Sequence, residues 1–320
     1  MHYRRLGRTE LMVSEVGFGG LPIGGLRWGD VRDEESLAAL QRAFELGVNF
    51  FDTADLYGRG HSEELLGQAL GEVRHHVLIA TKAGFDFHHG EPVRNNFEPA
   101  NIRTALEHSL ARLRTDYIDV YQLHNPPQKL AKDERVWETL REMQAAGKIR
   151  YFGVSCRTAN DARAFMRAAE ANANPRGFGD TLQVAYNLLD QEAAAKDVFV
   201  EAHRHDWGVI GRVPLASGAL SGKYGASHKF PANDFRVDWS GERLAEMSRR
   251  VEALRFLETP ERTLAQAAIA FCLSQPAVST VISGAKTAAQ VEENAAASAH
   301  APLSDDELRR TQTVLGGAGE

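Results

Sequence analysis

Short apolar runs alternate with amphipathic segments along the whole chain. The apolar runs predict eight strands, at residues 15–19, 48–53, 77–82, 117–124, 151–155, 181–186, 208–213 and 278–282. Between them lie segments with the 3.6-residue apolar period of a helix. The clearest covers residues 33–47 and ends at Gly47, and residues 99–113 and 133–147 follow the same pattern. This alternation predicts parallel strands that helices bury on both faces.

Eight strands of this kind favour a (β/α)₈ barrel, whereas about six would favour a doubly wound sheet. Residues 3–14, with Gly7 at the turn, predict a β-hairpin that caps the barrel before its first strand. No shift in composition divides the chain, so residues 1–320 are predicted to form a single domain. The longest irregular segments are candidates for functional loops, at residues 84–98, 124–132 and 216–240.

The composition narrows the classes of partner. Of the 320 residues, 43% are hydrophobic and 25% are charged, which excludes a wholly disordered chain. The net charge of −6 gives no support to a nucleic-acid or anionic-membrane partner. Two cysteines, Cys156 and Cys272, make no disulfide framework, and no apolar run has the length of a signal peptide or a membrane span. We therefore expect a cytoplasmic protein with a small-molecule substrate.

Several common motifs are ruled out. Gly17-Phe18-Gly19 begins like a dinucleotide-binding loop, but Pro22 stands where the third glycine belongs. The chain contains no H-E-x-x-H and no paired C-x-x-C. His203 and His205 diverge on a predicted helix and are expected to be solvated. No metal site is predicted.

Polar residues collect where the predicted barrel strands end. Asp52, Lys82, His124 and Ser155 end the second to fifth strands, and Gln183 lies on the sixth. Such barrels build their active sites on the face formed by the carboxyl ends of the strands. Helix capping does not account for the set, because lysine and histidine are not N-cap residues. The sequence therefore predicts an active site on this face.

Seven ordered stretches carry a resemblance to a known family. They are FDTADLYGRGHSEELLG (51–67), ATKAG (80–84), DYIDVYQLHNP (116–126), GKIRYFGVS (147–155), QVAYNLLD (183–190), PLASGALSGKY (214–224) and VISGAKTAAQVEEN (281–294). Over nearly its whole length the chain resembles the aldo-keto reductases, and the bacterial and potassium-channel β-subunit branches more than mammalian aldose reductase. The resemblance implies a (β/α)₈ barrel that binds NADP(H) in extended form, without a Rossmann domain.

The catalytic tetrad of that family carries over onto Asp52, Tyr57, Lys82 and His124. Hydride delivered to a carbonyl carbon leaves negative charge on the oxygen, which then needs a proton. Tyr57 would donate it. Lys82, held by Asp52, is expected to lower the pKa of the phenol by stabilising the phenolate. A neutral His124 would hydrogen-bond the carbonyl oxygen and orient it.

The resemblance also assigns contacts to the cofactor and the substrate. Ser155 and Gln183 would hold the nicotinamide carboxamide. The loop from Pro214 to Lys223 would cross the pyrophosphate, and a third group would surround the adenosine end at a helix N-terminus. The loop residues assigned are Pro214, Leu215, Ser217, Gly218 and Lys223; those of the adenosine end are Gly284, Lys286, Gln290, Glu293 and Asn294.

Three positions depart from the family pattern. Cys156 stands where asparagine is common, which puts one carboxamide contact in doubt. Gly284-Ala285 replaces the common lysine-serine, which leaves Lys286 as the cation for the 2′-phosphate. Arg212 stands where a tyrosine often stacks on the nicotinamide. Its planar guanidinium could stack in the same way, reach the pyrophosphate, or pair with a neighbouring acid.

The sequence therefore predicts an NADPH-dependent oxidoreductase that interconverts aldehydes or ketones with alcohols. Trp28, Tyr57, Phe85 and Phe87 suggest an aromatic rim around the substrate pocket. Sugars, sugar lactones, small dicarbonyls and aromatic aldehydes all remain open as substrates. The alternative is a redox-sensing NADP(H)-binding protein that resembles channel β subunits. A monomer is the expectation from the resemblance.

Overall fold

Eight parallel strands close into a barrel in the computed structural model, which describes residues 1–87, 93–171, 179–300 and 302–316. The strands are β1 (Tyr3–Arg5), β2 (Met12–Ser14), β3 (Val16–Gly19), β4 (Phe50–Asp52), β5 (Leu78–Ala83), β6 (Phe85–Asp86), β7 (Arg94–Asn95), β8 (Ile118–His124), β9 (Ile149–Ser155), β10 (Thr181–Ala185), β11 (Gly208–Arg212) and β12 (Val278–Gly284). The barrel runs β3-β4-β5-β8-β9-β10-β11-β12 and closes by pairing β12 with β3. The predicted barrel is confirmed, and each predicted strand end moves by one or two residues at most.

Helices cover the outside of the barrel. They are α1 (Asp33–Glu45), α2 (His61–Leu70), α3 (Pro99–Leu113), α4 (Glu134–Ala145), α5 (Ala159–Ala171), α6 (Glu192–Ala195), α7 (Val198–Arg204), α8 (Gly241–Ala253), α9 (Leu264–Leu273), α10 (Ala288–Ala296) and α11 (Asp305–Gly316). The three helices expected from the apolar period, α1, α3 and α4, are present. After α1, Gly47 adopts φ +83°, the left-handed conformation in which helices commonly end. In the ranges given above, no helix is long and apolar enough to cross a membrane.

The predicted hairpin, β1 and β2, closes the end of the barrel at which the strands begin. Leu6 and Leu11 of its turn pack with Phe50 and Val120 in a buried cluster inside the barrel. Gly7 at the turn has φ +50°, and a Cβ there would lie 2.1 Å from the Gly208 nitrogen. This buried cluster fills the amino end of the barrel with apolar side chains, and the predicted polar residues lie at the opposite, carboxyl end.

One segment expected to be irregular contains a small hairpin. Within residues 84–98, β6 pairs with β7 in antiparallel register, with Phe85 opposite Asn95. Strands of two residues are too short to show an alternation in the sequence. The hairpin carries Phe85 toward the mouth of the barrel, where its ring packs on His124.

The loops that follow β3 and β4 are in close backbone contact. Gly58, directly after Tyr57, has φ +62°, and a Cβ there would lie 2.2 Å from the carbonyl oxygen of Gly24. On the other side, a Cβ at Gly24 would lie 2.8 Å from the nitrogen of Gly58. Because both residues are glycines, the two loops can approach this closely, and the contact positions the loop that carries Tyr57.

We expect Gly58→Ala to destabilise the protein by about 1–3 kcal/mol, because neither the backbone conformation nor the space admits a methyl group. Urea unfolding measures the change. Gly71→Ala is the matched control, since Gly71 has φ −56° and nothing lies within 4 Å of its added Cβ. Equal stability of the two variants would contradict the close contact with Gly24.

Candidate active site

The ends of the barrel strands bring the predicted polar residues into one hydrogen-bonded chain. The Nζ of Lys82 lies 2.6 Å from Oδ1 of Asp52. The other carboxylate oxygen of Asp52 accepts from Nε2 of Gln183 at 2.7 Å. The Ser155 hydroxyl in turn donates to Oε1 of Gln183 at 2.9 Å. This chain of hydrogen bonds therefore links side chains of four strands, β4, β5, β9 and β10, and all four side chains are buried.

Tyr57 completes the surroundings of Lys82. Its hydroxyl lies 3.4 Å from the lysine Nζ, which also donates to the backbone carbonyl of Thr53 at 2.6 Å. The three hydrogens of the ammonium group thus face three oxygens. The His124 ring meets the Tyr57 ring edge to face, with centroids 5.8 Å apart. Lysine, tyrosine and histidine therefore share one small volume at the barrel mouth.

The charges of this cluster follow from its burial. Burial alone lowers the pKa of Lys82, but the Asp52 carboxylate and the Tyr57 hydroxyl outweigh it, and the net pKa is raised. Burial raises the pKa of Tyr57, and the Lys82 charge offsets only part of this, so the net pKa is above the ordinary value. The expectation of a lowered phenol pKa is therefore wrong, because loss of solvent exceeds the effect of the lysine.

His124 is neutral in this environment. Burial lowers its pKa well below the ordinary value, and the positive charges of Lys82, Arg212 and Arg157 lower it further. Its Nδ1 is buried and has no hydrogen-bond partner within the described ranges. A neutral imidazole carries one N–H, which suits hydrogen bonding to an uncharged carbonyl oxygen.

A long cleft runs from this cluster across the barrel mouth, and most residues assigned to cofactor and substrate line it. Lys82, His124, Ser155 and Phe85 stand beside or behind the cleft rather than in its lining. The predicted residues that line it are Trp28, Asp52, Tyr57, Gln183, Arg212, Pro214, Leu215, Ser217, Gly218, Lys223, Gly284, Lys286, Gln290, Glu293 and Asn294. The structure thus brings these separate sequence stretches onto one surface.

The residues of the cleft suit a nicotinamide dinucleotide. Ser217 and Gly218 line the cleft and have φ +56° and +92° in the tight turn over residues 216–221. Lys286 lines it too; Gln290 accepts from the Lys286 backbone amide at 2.7 Å, and the Lys286 ammonium donates to the carbonyl of Trp28 at 2.9 Å. The cleft thus contains a cation and a polar turn, groups that can bind the phosphates of such a cofactor.

Arg236 is the lining residue that sequence reasoning missed most clearly. It is bidentate to Asp234, at 2.9 and 2.7 Å, and also donates to the Ser217 carbonyl and the Tyr224 hydroxyl, at 3.2 Å each. Trp28 pairs with Asp234 in an isolated antiparallel bridge. Residues 233–238, which we call the strap, therefore connect Trp28 to the turn over residues 216–221 at the cleft. Only the contacts across this long loop could have identified them.

Two of the positions that depart from the family pattern, Cys156 and Arg212, have different surroundings in the structure. Cys156 is fully buried, and burial raises the pKa of its thiol, so it fills space. Arg212 donates from Nη2 to the backbone carbonyls of Cys156 and Arg157, at 3.1 Å each. In the part of the chain that the structure describes, Arg212 forms no ion pair with a carboxylate. The acid-pairing alternative is therefore wrong, because backbone oxygens take up this arginine.

His205 differs from expectation as well. Its side chain is 23% exposed and lies 3.0 Å from a Glu170 oxygen and 3.8 Å from a Glu201 oxygen. Its ring also stacks on Trp207, with centroids 4.8 Å apart. The histidine is held by acid and aromatic neighbours from two helices, which the spacing from His203 does not reveal.

A closed parallel barrel with a lysine, a tyrosine and a histidine at its carboxyl end is the arrangement that the resemblance in the sequence implies. The chain belongs to the aldo/keto reductase family, whose model matches residues 15–315. It is 32% identical to an uncharacterized oxidoreductase, YqkF, of Bacillus subtilis, over 98% of this chain and 96% of the other. It is also 32% identical to a probable voltage-gated potassium channel subunit beta of Oryza sativa, over 96% and 94%. The structure resembles a glycerol dehydrogenase from Gluconobacter oxydans, with a TM-score of 0.83, 29% identity and coverage of 98% and 95%. The protein is thus an NAD(P)H-dependent aldo-keto reductase.

Another buried acid, Asp55, lies in the loop between β4 and Tyr57. Asp55 is fully buried, and neither carboxyl oxygen has a hydrogen-bond partner within the described residues. Nearby Glu63 already pairs with Arg112 at 2.7 Å. Burial raises the pKa of Asp55 well above its ordinary value, and Glu63 adds to the rise more than the Arg112 charge opposes it. Asp55 therefore holds its proton to higher pH than an ordinary aspartate does.

Asp55 should therefore make the folded protein less stable as pH rises. The folded state keeps a proton that the unfolded state loses above about pH 4, so stability falls with pH up to the folded pKa. We expect Asp55→Asn to gain stability relative to wild type between pH 5 and 8, by up to about 1.4 kcal/mol per pH unit. Urea unfolding at several pH values measures the difference.

Asp133→Asn is the control for this series. The Arg135 side chain lowers the pKa of Asp133, so its contribution is lost only as pH falls through the acid range. Its difference from wild type should stay constant between pH 5 and 8. A constant difference for Asp55→Asn as well would show that Asp55 ionises normally.

Proposed function

We propose that this protein reduces aldehydes or ketones with NADPH, or runs the reverse reaction, with Tyr57 as general acid. The observation that carries the proposal is the position of the Lys82 Nζ, 2.6 Å from Asp52 and 3.4 Å from the Tyr57 hydroxyl. The bound cofactor would supply the hydride. The side chains would supply the proton and hold the carbonyl oxygen.

Each side chain has one task in this proposal. Tyr57 donates its proton to the oxygen of the reduced carbonyl. Lys82 stays charged because Asp52 faces it, and it stabilises the phenolate that Tyr57 leaves behind. His124, kept neutral by burial, donates its N–H to the carbonyl oxygen and orients it. Tyr57 is protonated at neutral pH, as an ordinary phenol is, and burial raises its pKa further, so it can serve as the proton donor.

The cofactor would lie along the cleft with its nicotinamide at the tetrad. Ser155 and Gln183 would meet the carboxamide, and the Gln183 amide would keep its bond to Asp52. The face of the Arg212 guanidinium would stack on the ring, since Nη2 is already held by two backbone carbonyls. The turn over 216–221 would meet the pyrophosphate, and Lys286 the 2′-phosphate.

A redox-sensing role is the second candidate, favoured by the similarity to the rice channel β subunit. Turnover distinguishes the two functions, because a sensor needs only to bind the cofactor.

The cytoplasm is the proposed location, and it is consistent with two unpaired cysteines that are both buried. A monomer of one domain over residues 1–320 stays a prediction, which light scattering tests. Trp28 and Phe85 are proposed as the aromatic rim of the substrate pocket.

Tyr57→Phe should lower the rate of the chemical step by about 10²–10⁴-fold and leave NADPH affinity within a few-fold of wild type. Single-turnover kinetics separate the chemistry from cofactor release. Tyr151→Phe is the control, because the Tyr151 hydroxyl contacts the Glu10 amide at the opposite end of the barrel. Retention of more than a third of the rate by Tyr57→Phe would exclude the phenol as the proton donor.

Lys286→Ala should weaken NADPH binding at least tenfold and leave NADH binding nearly unchanged, since one charge-assisted contact contributes about 1.5–3 kcal/mol. Fluorescence titration with both cofactors measures this. Lys223→Ala is the control: Lys223 lies 3.7 Å from Glu293 and is proposed to face the pyrophosphate, so both cofactors should weaken alike. Equal losses in Lys286→Ala would indicate a loosened strap instead.

A further inference from the structure

The loop that carries Tyr57 is short, and β5 holds its start. It runs from the end of β4 to a tight turn, after which α2 begins. The Thr53 amide donates to the Ala80 carbonyl at 2.8 Å, and the Asp55 amide donates to the Lys82 carbonyl at 3.3 Å. The backbone of β5 therefore fixes the near end of the loop, next to the lysine itself.

A buried glutamate in the first turn of α2 holds the far end of the loop. Glu63 is fully buried, and its Oε1 accepts from the Thr81 hydroxyl at 2.5 Å. Its Oε2 accepts from Nε of Arg112, on α3, at 2.7 Å. A buried carboxylate is costly unless it is paired and hydrogen-bonded, and these two contacts meet that condition. Glu63 therefore joins α2 to β5 and to α3.

Thr81 stands directly before Lys82 on β5. Side chains alternate between the two faces of a strand, so Thr81 points outward to α2 while Lys82 points into the barrel mouth. The strand that places the ammonium group thus also holds, through Glu63, the helix that follows the Tyr57 loop. Both partners of the 3.4 Å contact between the Lys82 Nζ and the Tyr57 hydroxyl are therefore positioned by the same strand.

Arg112 contacts the turn itself. A Cβ at Gly60, the last residue of the turn, would lie 2.6 Å from Cδ and Nε of Arg112. The guanidinium that pairs with Glu63 therefore packs on the end of the turn, and its side chain is only 15% exposed. Glu63 thus acts on the loop from two sides, through Thr81 on the strand and through Arg112 on the turn.

We propose that Glu63 is a positioning residue, which holds the Tyr57 hydroxyl at the distance from Lys82 that proton donation needs. The inference rests on the proposed function, because it takes Tyr57 as the proton donor. Glu63 acts through the loop and not on the reacting atoms. Such an effect can be large, because a displacement of about 1 Å caused far from the chemistry can lower a rate about 100-fold.

The test breaks the hydrogen bond to Glu63 with a change of shape as small as possible. Thr81→Val removes the hydroxyl, and it should lower the single-turnover rate of NADPH oxidation by para-nitrobenzaldehyde about 10- to 100-fold. Thr81→Ser keeps the hydroxyl, so its rate should stay within about threefold of wild type. NADPH affinity should stay within about threefold in both variants, because the loss falls on the chemical step. An unchanged rate in Thr81→Val would overturn the proposal.

Thr280→Val is the matched control. The Thr280 hydroxyl is equally buried and donates to the Ser14 carbonyl at 2.8 Å, which joins β12 to β2 at the amino end of the barrel. Urea unfolding should show a similar loss of stability for the two valine variants, whereas only Thr81→Val should slow the chemical step. Equal slowing by both would indicate a general structural effect and would overturn the positioning role.

Glu63→Ala tests the residue directly. It removes the same hydrogen bond as Thr81→Val, so the double variant should be no more than about threefold slower than the slower single variant. Two effects that multiply would overturn the shared anchor. If Glu63→Ala does not fold, because Arg112 is left buried without its partner, the two Thr81 variants decide alone.

Hydrogen exchange keeps the two proposals distinguishable. If NADPH binds but wild type reduces no aldehyde, the proposed function fails, and exchange of the backbone amides of residues 53–62 decides the anchor. Measured by mass spectrometry, this exchange should be at least about tenfold faster in Thr81→Val than in wild type, and unchanged in Thr280→Val. Exchange that is the same in Thr81→Val and wild type would overturn the anchor.

Discussion

The site depends on one buried ion pair, between Lys82 and Asp52. Both side chains are almost completely buried, and a charge in such a place is costly unless it is paired and hydrogen-bonded. Here one Asp52 oxygen accepts from Lys82 and the other from Gln183, and the Thr53 backbone carbonyl also accepts from Lys82. The pair thereby fixes the position of the ammonium group, which lies 3.4 Å from the Tyr57 hydroxyl. Apolar side chains fill the other end of the barrel, so the polar groups are confined to this end.

The sequence was sufficient to predict the site residues that lie on the regular strands. Asp52, Lys82, His124 and Ser155 were predictable because each ends an apolar run, and the carboxyl ends of parallel strands share one face. Three features were not predictable, namely the strap around Arg236, the path of Arg212 and the paired environment of His205. Their partners lie far away in sequence, in loops whose course no periodicity describes. The pKa of Tyr57 also needed the structure, because the degree of burial decides its direction.

The barrel divides the work between strands and loops. Strand ends carry the groups proposed for proton transfer, and their backbones are fixed on both sides by the parallel register. The loops carry most of the cleft proposed for the cofactor, including the turn over residues 216–221 and Arg236 of the strap. Arg236 is fully engaged by Asp234, Ser217 and Tyr224, so it serves the strap. Lys286, with a single side-chain contact to the Trp28 carbonyl, keeps donors for a ligand.

A raised phenol pKa and a neighbouring lysine are compatible in a reductase. In the proposed reaction Tyr57 would start as the neutral phenol, which is the form a general acid needs. As its proton left, negative charge would develop on the phenol oxygen, 3.4 Å from an ammonium group that is already in place. That interaction would be stronger in the transition state than in the ground state, which is the condition for it to raise the rate. The same low-solvent environment that holds the proton therefore strengthens the charge interaction that compensates for its loss.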